Sequence, residues 1–468
     1  MKKTFIKVIS MICCLAILSS FSACGKKSDG LDGKINITVM ISGEDSAEGT
    51  LMQKWKEAYE AEKKNININI TNFTGNYAQA MMTNVQSADL MPDIMWTTGE
   101  QHASWSEDGV FIDLKDKISE DKSINLDDFY EEVIKITHKN SKDNGIYFIP
   151  RDYNKCVLYI NKYMFKAAGF SEEEIAGLKD GWNYDKFLKT CERLRKAMDN
   201  DLDPAAGIRE RSVPVDASMN FNASYMSFLK HFGGNFIGGN KIAFDSKENM
   251  NAYGKIYELV DKGYIAESSK MASTTFTTLG AAMLITVRPK LPTMPTTDKY
   301  DIDFLPMPTD YVGIGCSGYA ITSLAKERIS ESKLNEDKKT NEDYAFDFLK
   351  FIVSKEGQKI GCQTGSIIPV LKSMANDSSW RGYISDKLNH EAFISAPEKD
   401  FSLSVFNDFN AEDASVILTN TANVMAQVMV SSNYADTPFF GGNDTSYKNL
   451  KKAISGFQST VSSYKAVY

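Results

Sequence analysis

The stretch Trp96-Thr97-Thr98-Gly99-Glu100-Gln101-His102 sets an indole, a carboxylate and a carboxamide directly after an apolar run. An aromatic face covers the apolar side of a sugar-like ring and planar polar groups take its hydroxyls, so these residue types suit a hydroxylated ligand. A second polar cluster, Arg151-Asp152-Tyr153-Asn154, lies between two apolar runs, and Ser317 and Tyr319 stand at the head of a third. The acids Glu44, Asp45, Asp93 and Glu100 leave a catalytic use open, because two carboxylates about 5–10 Å apart suffice for glycoside hydrolysis.

Other motifs carry less. Gly313-Ile314-Gly315-Cys316-Ser317-Gly318 spells GxGxxG, but strand-like Tyr-Ala-Ile-Thr follows where a dinucleotide site needs a helix N-terminus. Gly315 to Tyr319 misses GxSxG at its last position, His390-Glu391 lacks the second histidine of HExxH, and Gly234 to Lys241 lacks the Lys-Ser/Thr of a phosphate loop. His102, His138, His231 and His390 show no ligand spacing. Asp199, Asp201, Asp203 and Glu210 imitate a calcium loop, yet Pro204 replaces the glycine of its sharp turn, so a solvated acidic loop is expected. No cofactor and no metal are expected.

These residues need elements to position them. Residues 35–41 read as a strand, with Ser42-Gly43-Glu44-Asp45 as the turn leaving it, and Leu51, Trp55, Ala58 and Tyr59 then keep helical spacing. Asn65-Ile66-Asn67-Ile68-Asn69-Ile70 alternates strictly, Tyr77, Met81 and Val85 return to helical spacing, and a third strand begins at Pro92-Asp93-Ile94. This β-α-β-α-β order predicts an α/β unit with helical crossovers. Residues 146–150 and 157–160 read as further strands, and Phe187 to Met198, Met250 to Val260 and Tyr344 to Ile352 as helices. Residues 302–305 and 319–322 read as a late strand pair, and residues 380–468 as mostly helical.

The 468 residues, 43% hydrophobic and 24% charged, are too many for one core, so two lobes are expected. The formal charge of −8 argues against nucleic acid as a partner. Lys2, Lys3 and Lys7 precede an apolar run of about eleven residues, Val8 to Leu18, which has the pattern of a signal peptide and falls short of the roughly 20 residues that span a bilayer. Phe21-Ser22-Ala23-Cys24-Gly25 resembles the lipobox of bacterial lipoproteins, although Phe21 stands where an aliphatic is usual. The resemblance implies cleavage before Cys24 and a lipid on its sulfur. Loss of residues 1–23 removes three lysines and no acids, leaving 445 residues of formal charge −11. Residues 25–33 are a Gly-rich polar tether. Cys156, Cys191, Cys316 and Cys362 are widely spaced, which indicates neither a zinc site nor a disulfide framework.

Four segments in order resemble the extracellular solute-binding proteins, family 1, the sugar-capturing lipoproteins of ATP-driven (ABC) importers. They are Ser87 to Trp96 (small-x-D-x-x-P-D-apolar) and Gly145 to Asn154 with Leu158 to Lys162, Phe165 and Ala168-Gly169 (G-x-Y-x-x-P, Y-x-N-K, F, A-G). Ser317-Gly318-Tyr319-Ala320-Ile321 with Phe348 to Gln358 (SGYAI, FLKF-x-x-S-x-EGQ) and Gly365 to Ser373 complete the set. The resemblance implies a periplasmic-binding-protein-like (type II) fold, with two α/β lobes about a central ligand cleft and hinge crossovers between them. The first lobe would hold 34–150 and about 298–353, and the second about 157–285 and 358–468.

It further implies ligand contacts from Glu44 and Asp45, from Trp96, Glu100 and Gln101, from Tyr153 and Asn154 at the crossover, and from Ser317. Ala282 to Pro289 departs from the family's A-M-x-I-x-G-x-W by lacking the glycine and the aromatic, which leaves Arg288 to face the cleft and an acidic or highly hydroxylated ligand. The implied protein is a monomer on the extracytoplasmic face of a bacterial membrane, anchored by lipid at Cys24. It would deliver an oligosaccharide to ABC permease subunits without covalent chemistry. A surface-anchored glycan-degrading enzyme and a ligand sensor for a membrane kinase are the alternative readings.

Overall fold

A computed structural model of the chain describes residues 33–43, 46–73, 75, 77–87, 90–200, 212–375, 377–381, 387–435 and 447–468. The signal segment with Cys24, the Glu44-Asp45 turn, and Asp201, Asp203 and Glu210 lie outside the described residues.

The alternating and apolar runs become strands of one sheet. β1 (Ile35–Ser42) lies parallel to β2 (Ile66–Phe73) on one side and to β3 (Ile94–Thr98) on the other, in register Val39 to Ile70 and Val39 to Ile94. The alternation in β2 is that of an edge strand, with Ile66 and Ile68 inward and Asn67 and Asn69 outward. β1, an interior strand of the sheet, turns Ile35, Ile37, Val39 and Ile41 to one face and buries them completely, with Asn36 and Thr38 half-buried on the other. Helices Ser46–Glu62 and Tyr77–Val85 are the crossovers.

β4 (Ile149–Pro150) belongs to this sheet. β5 (Asn154–Lys155) leaves it, and β6 (Val157–Asn161) enters a second sheet with β7 (Val213–Asp216). After the small hairpin of β8 (Ile237–Gly238) and β9 (Lys241–Ile242), β10 (Ala281–Thr286) and β11 (Ile302–Pro306) complete the second sheet, whose order is β11-β6-β10-β7. β12 (Val312–Gly315) leads to β13 (Ser317–Ile321), which returns to the first sheet in the order β2-β1-β3-β13-β4, and β14 (Asp400–Ser402) comes last.

Two hydrophobic cores follow the two sheets. The first gathers Trp55, Tyr59, Phe348 and Ile352 on the first sheet, and the second gathers Phe187, Leu194, Tyr253 and Val424 on the second. The expected late strand pair does not form: β11 pairs antiparallel with β6 in the second sheet, whereas β13 pairs antiparallel with β3 in the first. Residues 358–393, expected with the second lobe, contribute Cys362, Ile367, Val370, Trp380 and Phe393 to the first core. The cause is a close helix contact. Trp55 Nε1 donates to the Gly357 carbonyl at 2.7 Å, and a Cβ at Gly361 would stand 2.7 Å from the Trp55 ring.

The chain passes between the sheets three times, and the three passages meet. β5, β12 and β14 form a small sheet in the order β14-β12-β5, with β12 parallel to β14 and antiparallel to β5. Lys155 and Asp400 form a buried ion pair across it at 2.6 Å. Tyr153 donates its hydroxyl to the same Asp400 carboxylate while its ring stacks on Tyr130 at 4.0 Å.

Candidate functional site

The loop after β3 is built by its neighbours. Thr98 faces Ser317 of β13 in register, the Gly99 amide donates to the Cys316 carbonyl at 3.2 Å, and the Gln101 amide donates to the Thr98 carbonyl at 3.1 Å. At position 99 a Cβ would come within 2.3 Å of the Ile136 side chain, so a larger residue there would force that side chain to move. Beneath the loop His102 is fully enclosed, with Nδ1 3.0 Å from the Gly99 carbonyl and Nε2 3.1 Å from the His138 carbonyl. Burial pushes its imidazole down to about 4, so at neutral pH the ring is uncharged and only one of these carbonyls receives an N–H.

Trp96 stands on β3 with its ring edge-on to Tyr77 at 5.4 Å, and the Tyr77 hydroxyl donates to the Trp96 carbonyl at 2.8 Å. The indole Nε1 is buried without a hydrogen-bond partner among the described residues, as are Gln101 Oε1 and Asn154 Oδ1. Buried polar atoms normally have partners, and each of these three lies on a residue singled out in the sequence for ligand contact.

A cavity of about 480 Å³ opens beside this loop. One wall is Met81, Met82, Glu100, Gln101 and Trp105 from the first core's side, and the other is Asn407, Phe409, Ala414 and Leu418 from the second's. The two sides touch directly where Asn407 Nδ2 donates to the Gly99 carbonyl at 3.2 Å. Glu100 keeps part of its surface accessible, yet the protein mass around it pushes its carboxyl up through desolvation.

The structure thus brings Glu100 and Gln101 together on the cavity, with Trp96 on the strand leading to it and Ser317 on the neighbouring strand. Tyr153 is fully buried and committed to Asp400, and Asn154 sits in the hinge sheet opposite Gly315; neither is on the cavity wall. Arg288 is not turned to the cleft. It is fully buried, donates to the Gly365 carbonyl at 2.9 Å and the Arg381 carbonyl at 3.2 Å, meets His390 at 3.2 Å, and lies over the rings of Phe393 and Trp380. Tyr319 is also internal, donating to Glu48, which pairs with Arg151 at 2.9 Å.

Of the acids considered for hydrolysis, Asp93 is tied into the first core. It accepts from Thr38 at 2.8 and 2.9 Å and pairs with Arg328 at 3.0 Å. Among the described residues no group of three His, Cys, Asp or Glu side chains is placed to hold a metal ion.

The second wall, Asn407 to Thr419, went unnoticed in the sequence. Its one signal was the spacing of Ala411, Ala414, Ser415 and Leu418, a shallow face on one side of the helix Ala411–Val428. In the hinge, desolvation pushes the Asp400 carboxyl up to about 6 in spite of Lys155, and pushes the Lys155 ammonium down, so burial outweighs their mutual attraction.

No curated protein sequence matches the chain. Among solved structures it is similar to the ABC substrate-binding protein Lmo0181 from Listeria monocytogenes in complex with cycloalternan, at 17% identity, with a TM-score of 0.66 over 92% of this chain and 99% of that one. The GacH receptor of Streptomyces glaucescens, known unliganded and with acarbose, is 15% identical, with a TM-score of 0.65 over 92% and 100%. UgpB from Mycobacterium tuberculosis, in complex with glycerophosphocholine, is 17% identical, with a TM-score of 0.65 over 91% and 98%. At these identities the likeness establishes the two-lobed binding-protein fold. No helix among the described residues is long and apolar enough to cross a membrane. Residues 54–387 match the family model of the bacterial extracellular solute-binding proteins, and the chain belongs to that family of extracytoplasmic binding proteins.

Proposed function

We propose that this protein captures an oligosaccharide outside the cell, releases it unchanged, and delivers it to the permease subunits of an ABC importer. The observation that carries the reading is the cavity shared by the two sides of the molecule. Glu100 and Gln101 offer polar groups, and Trp105 and Phe409 offer rings, at a place whose shape depends on how far the lobes have closed. The fold's relatives support it, since the Listeria and Streptomyces structures contain cycloalternan and acarbose. In this reading one lobe runs over 34–150 and 317–393, the other over 157–306 and 403–468, and the monomer closes about the three hinge strands.

A thermal-shift screen against mono- and oligosaccharides tests it, because a ligand that binds only the folded protein raises its melting temperature. A saturable shift with an oligosaccharide that is recovered intact is the expected result, and turnover of the glycan would replace the binder with an enzyme. The membrane link is the lipid at Cys24. Cys24→Ser should release the protein from membranes into the soluble fraction, and continued detergent-dependent attachment would overturn the anchor.

A further inference from the structure

We propose that the inter-lobe cavity selects a hydroxylated solute that carries an ammonium group; this deepens the reading of that cavity as the ligand site and rests on it. The first argument is charge. Glu100 and Glu107 line the cavity, and among the described residues no Lys, Arg or His does, although 24% of the chain is charged. The neighbouring cavity of about 540 Å³ is mixed in charge, with Lys135, His138 and Lys230 beside Glu132 and Asp408. Arg288, the residue whose place in the sequence argued for an acidic ligand, spends its guanidinium on backbone carbonyls and His390.

The second argument is an unbalanced carboxylate. Glu100 forms no ion pair with any described residue, and desolvation raises its pKa. The carboxylate is crowded by protein and receives hydrogen bonds from the Thr98 side chain and its own backbone but no countercharge, which a ligand cation would supply. The third is the character of the walls. Trp105 and Phe409, with Met81, Met82 and Leu418, give the cavity an apolar lining that includes two aromatic residues, and a cation is attracted to an aromatic face. A primary ammonium on an amino sugar and a quaternary nitrogen share this chemistry.

Titration calorimetry on the purified protein distinguishes the sources. The probes are a glucosamine tetramer, the N-acetylated tetramer with the same backbone and no charge, and choline. The glucosamine tetramer should bind at least tenfold more tightly than its acetylated form, and Glu100→Gln should bring the two to parity. Melting temperature of the unliganded variant verifies that it is folded, and the wild-type ratio stands as a test without it. Equal affinities for the two tetramers in the wild type would overturn ammonium selection and leave the carbohydrate reading standing. Binding of choline with neither tetramer would uphold ammonium selection and overturn the carbohydrate reading, and binding of none of the three would overturn the inference.

Discussion

The hinge and the cavity wall differ in how their charged groups are paired. In the hinge, Lys155 has Asp400, Asp400 has Tyr153, and Arg151 has Glu48. Around the loop after β3, Trp96 Nε1 and Gln101 Oε1 have no partner among the described residues, and Glu100 forms no ion pair with any of them. Within the hinge itself neighbours differ, because Lys155 points at its pair while the Asn154 amide oxygen beside it has no hydrogen-bond partner among the described residues, as alternation along a strand allows. Both regions are rich in polar side chains placed after apolar runs, so composition alone does not separate them. Ion pairing does: the hinge charges find their partners inside the chain, and Glu100 is paired with no described residue.

The largest break of this contrast is Lys155→Met, which leaves Asp400 buried without its countercharge. It should cost about 3–5 kcal/mol of stability in urea denaturation, and the pair Lys155→Met with Asp400→Leu should recover most of it. A single-variant loss below about 1 kcal/mol would show that the hinge pair is as dispensable as a surface contact.

Next in size is a pH effect under the cavity loop. With the His102 imidazole pushed down to about 4 in the folded chain, the unfolded chain takes up a proton between about 6.5 and 4 that the folded one refuses. This group's contribution is full above about 6.5 and falls by roughly 3 kcal/mol as the pH drops to about 4. His102→Gln should therefore gain on the wild type by that amount across the window, whatever constant packing cost it carries. Asp400, pushed up to about 6, works in the other direction, since the folded chain retains a proton there and loses stability as the pH rises from about 4 to about 6. A flat difference between His102→Gln and the wild type would mean the ring is not held neutral.

Trp96→Ala should weaken ligand binding at least tenfold, about 1.4 kcal/mol, with the melting temperature of the free protein little changed. Unchanged affinity would move Trp96 from the ligand to the packing of Tyr77. The smallest effect belongs to Asn407→Ala, which removes one hydrogen bond between the two sides and should cost about 1 kcal/mol, roughly a fivefold loss of affinity by calorimetry.

Much of the first sheet was legible because its signals are local. The alternation of Ile66, Ile68 and Ile70, the apolar run at 35–41 and the stop at Pro92 each need only their own neighbours. That a polar loop follows the strand ending at Thr98 was legible for the same reason. Arg288 was misread because its partners are remote: Gly365, Arg381 and His390 lie 77, 93 and 102 positions away, and nothing near position 288 announces them. The split of the supposed pair at 302–305 and 319–322 was hidden in the same way, since the four residues of β12 between them carry the chain from one sheet to the other. The second wall of the cavity stands 308 positions from the loop it touches at Asn407 and Gly99, and only the fold joins them.

The meeting of three chain passages in one small sheet has a mechanical consequence. A single tether would let two bodies swivel in any direction, whereas three hydrogen-bonded ribbons side by side resist torsion and shear and leave bending about one axis as the soft motion. One labelled distance across the mouth, followed by fluorescence transfer, would then report the whole movement as a single coordinate, and anything that recognises the assembled pair of lobes would read one angle.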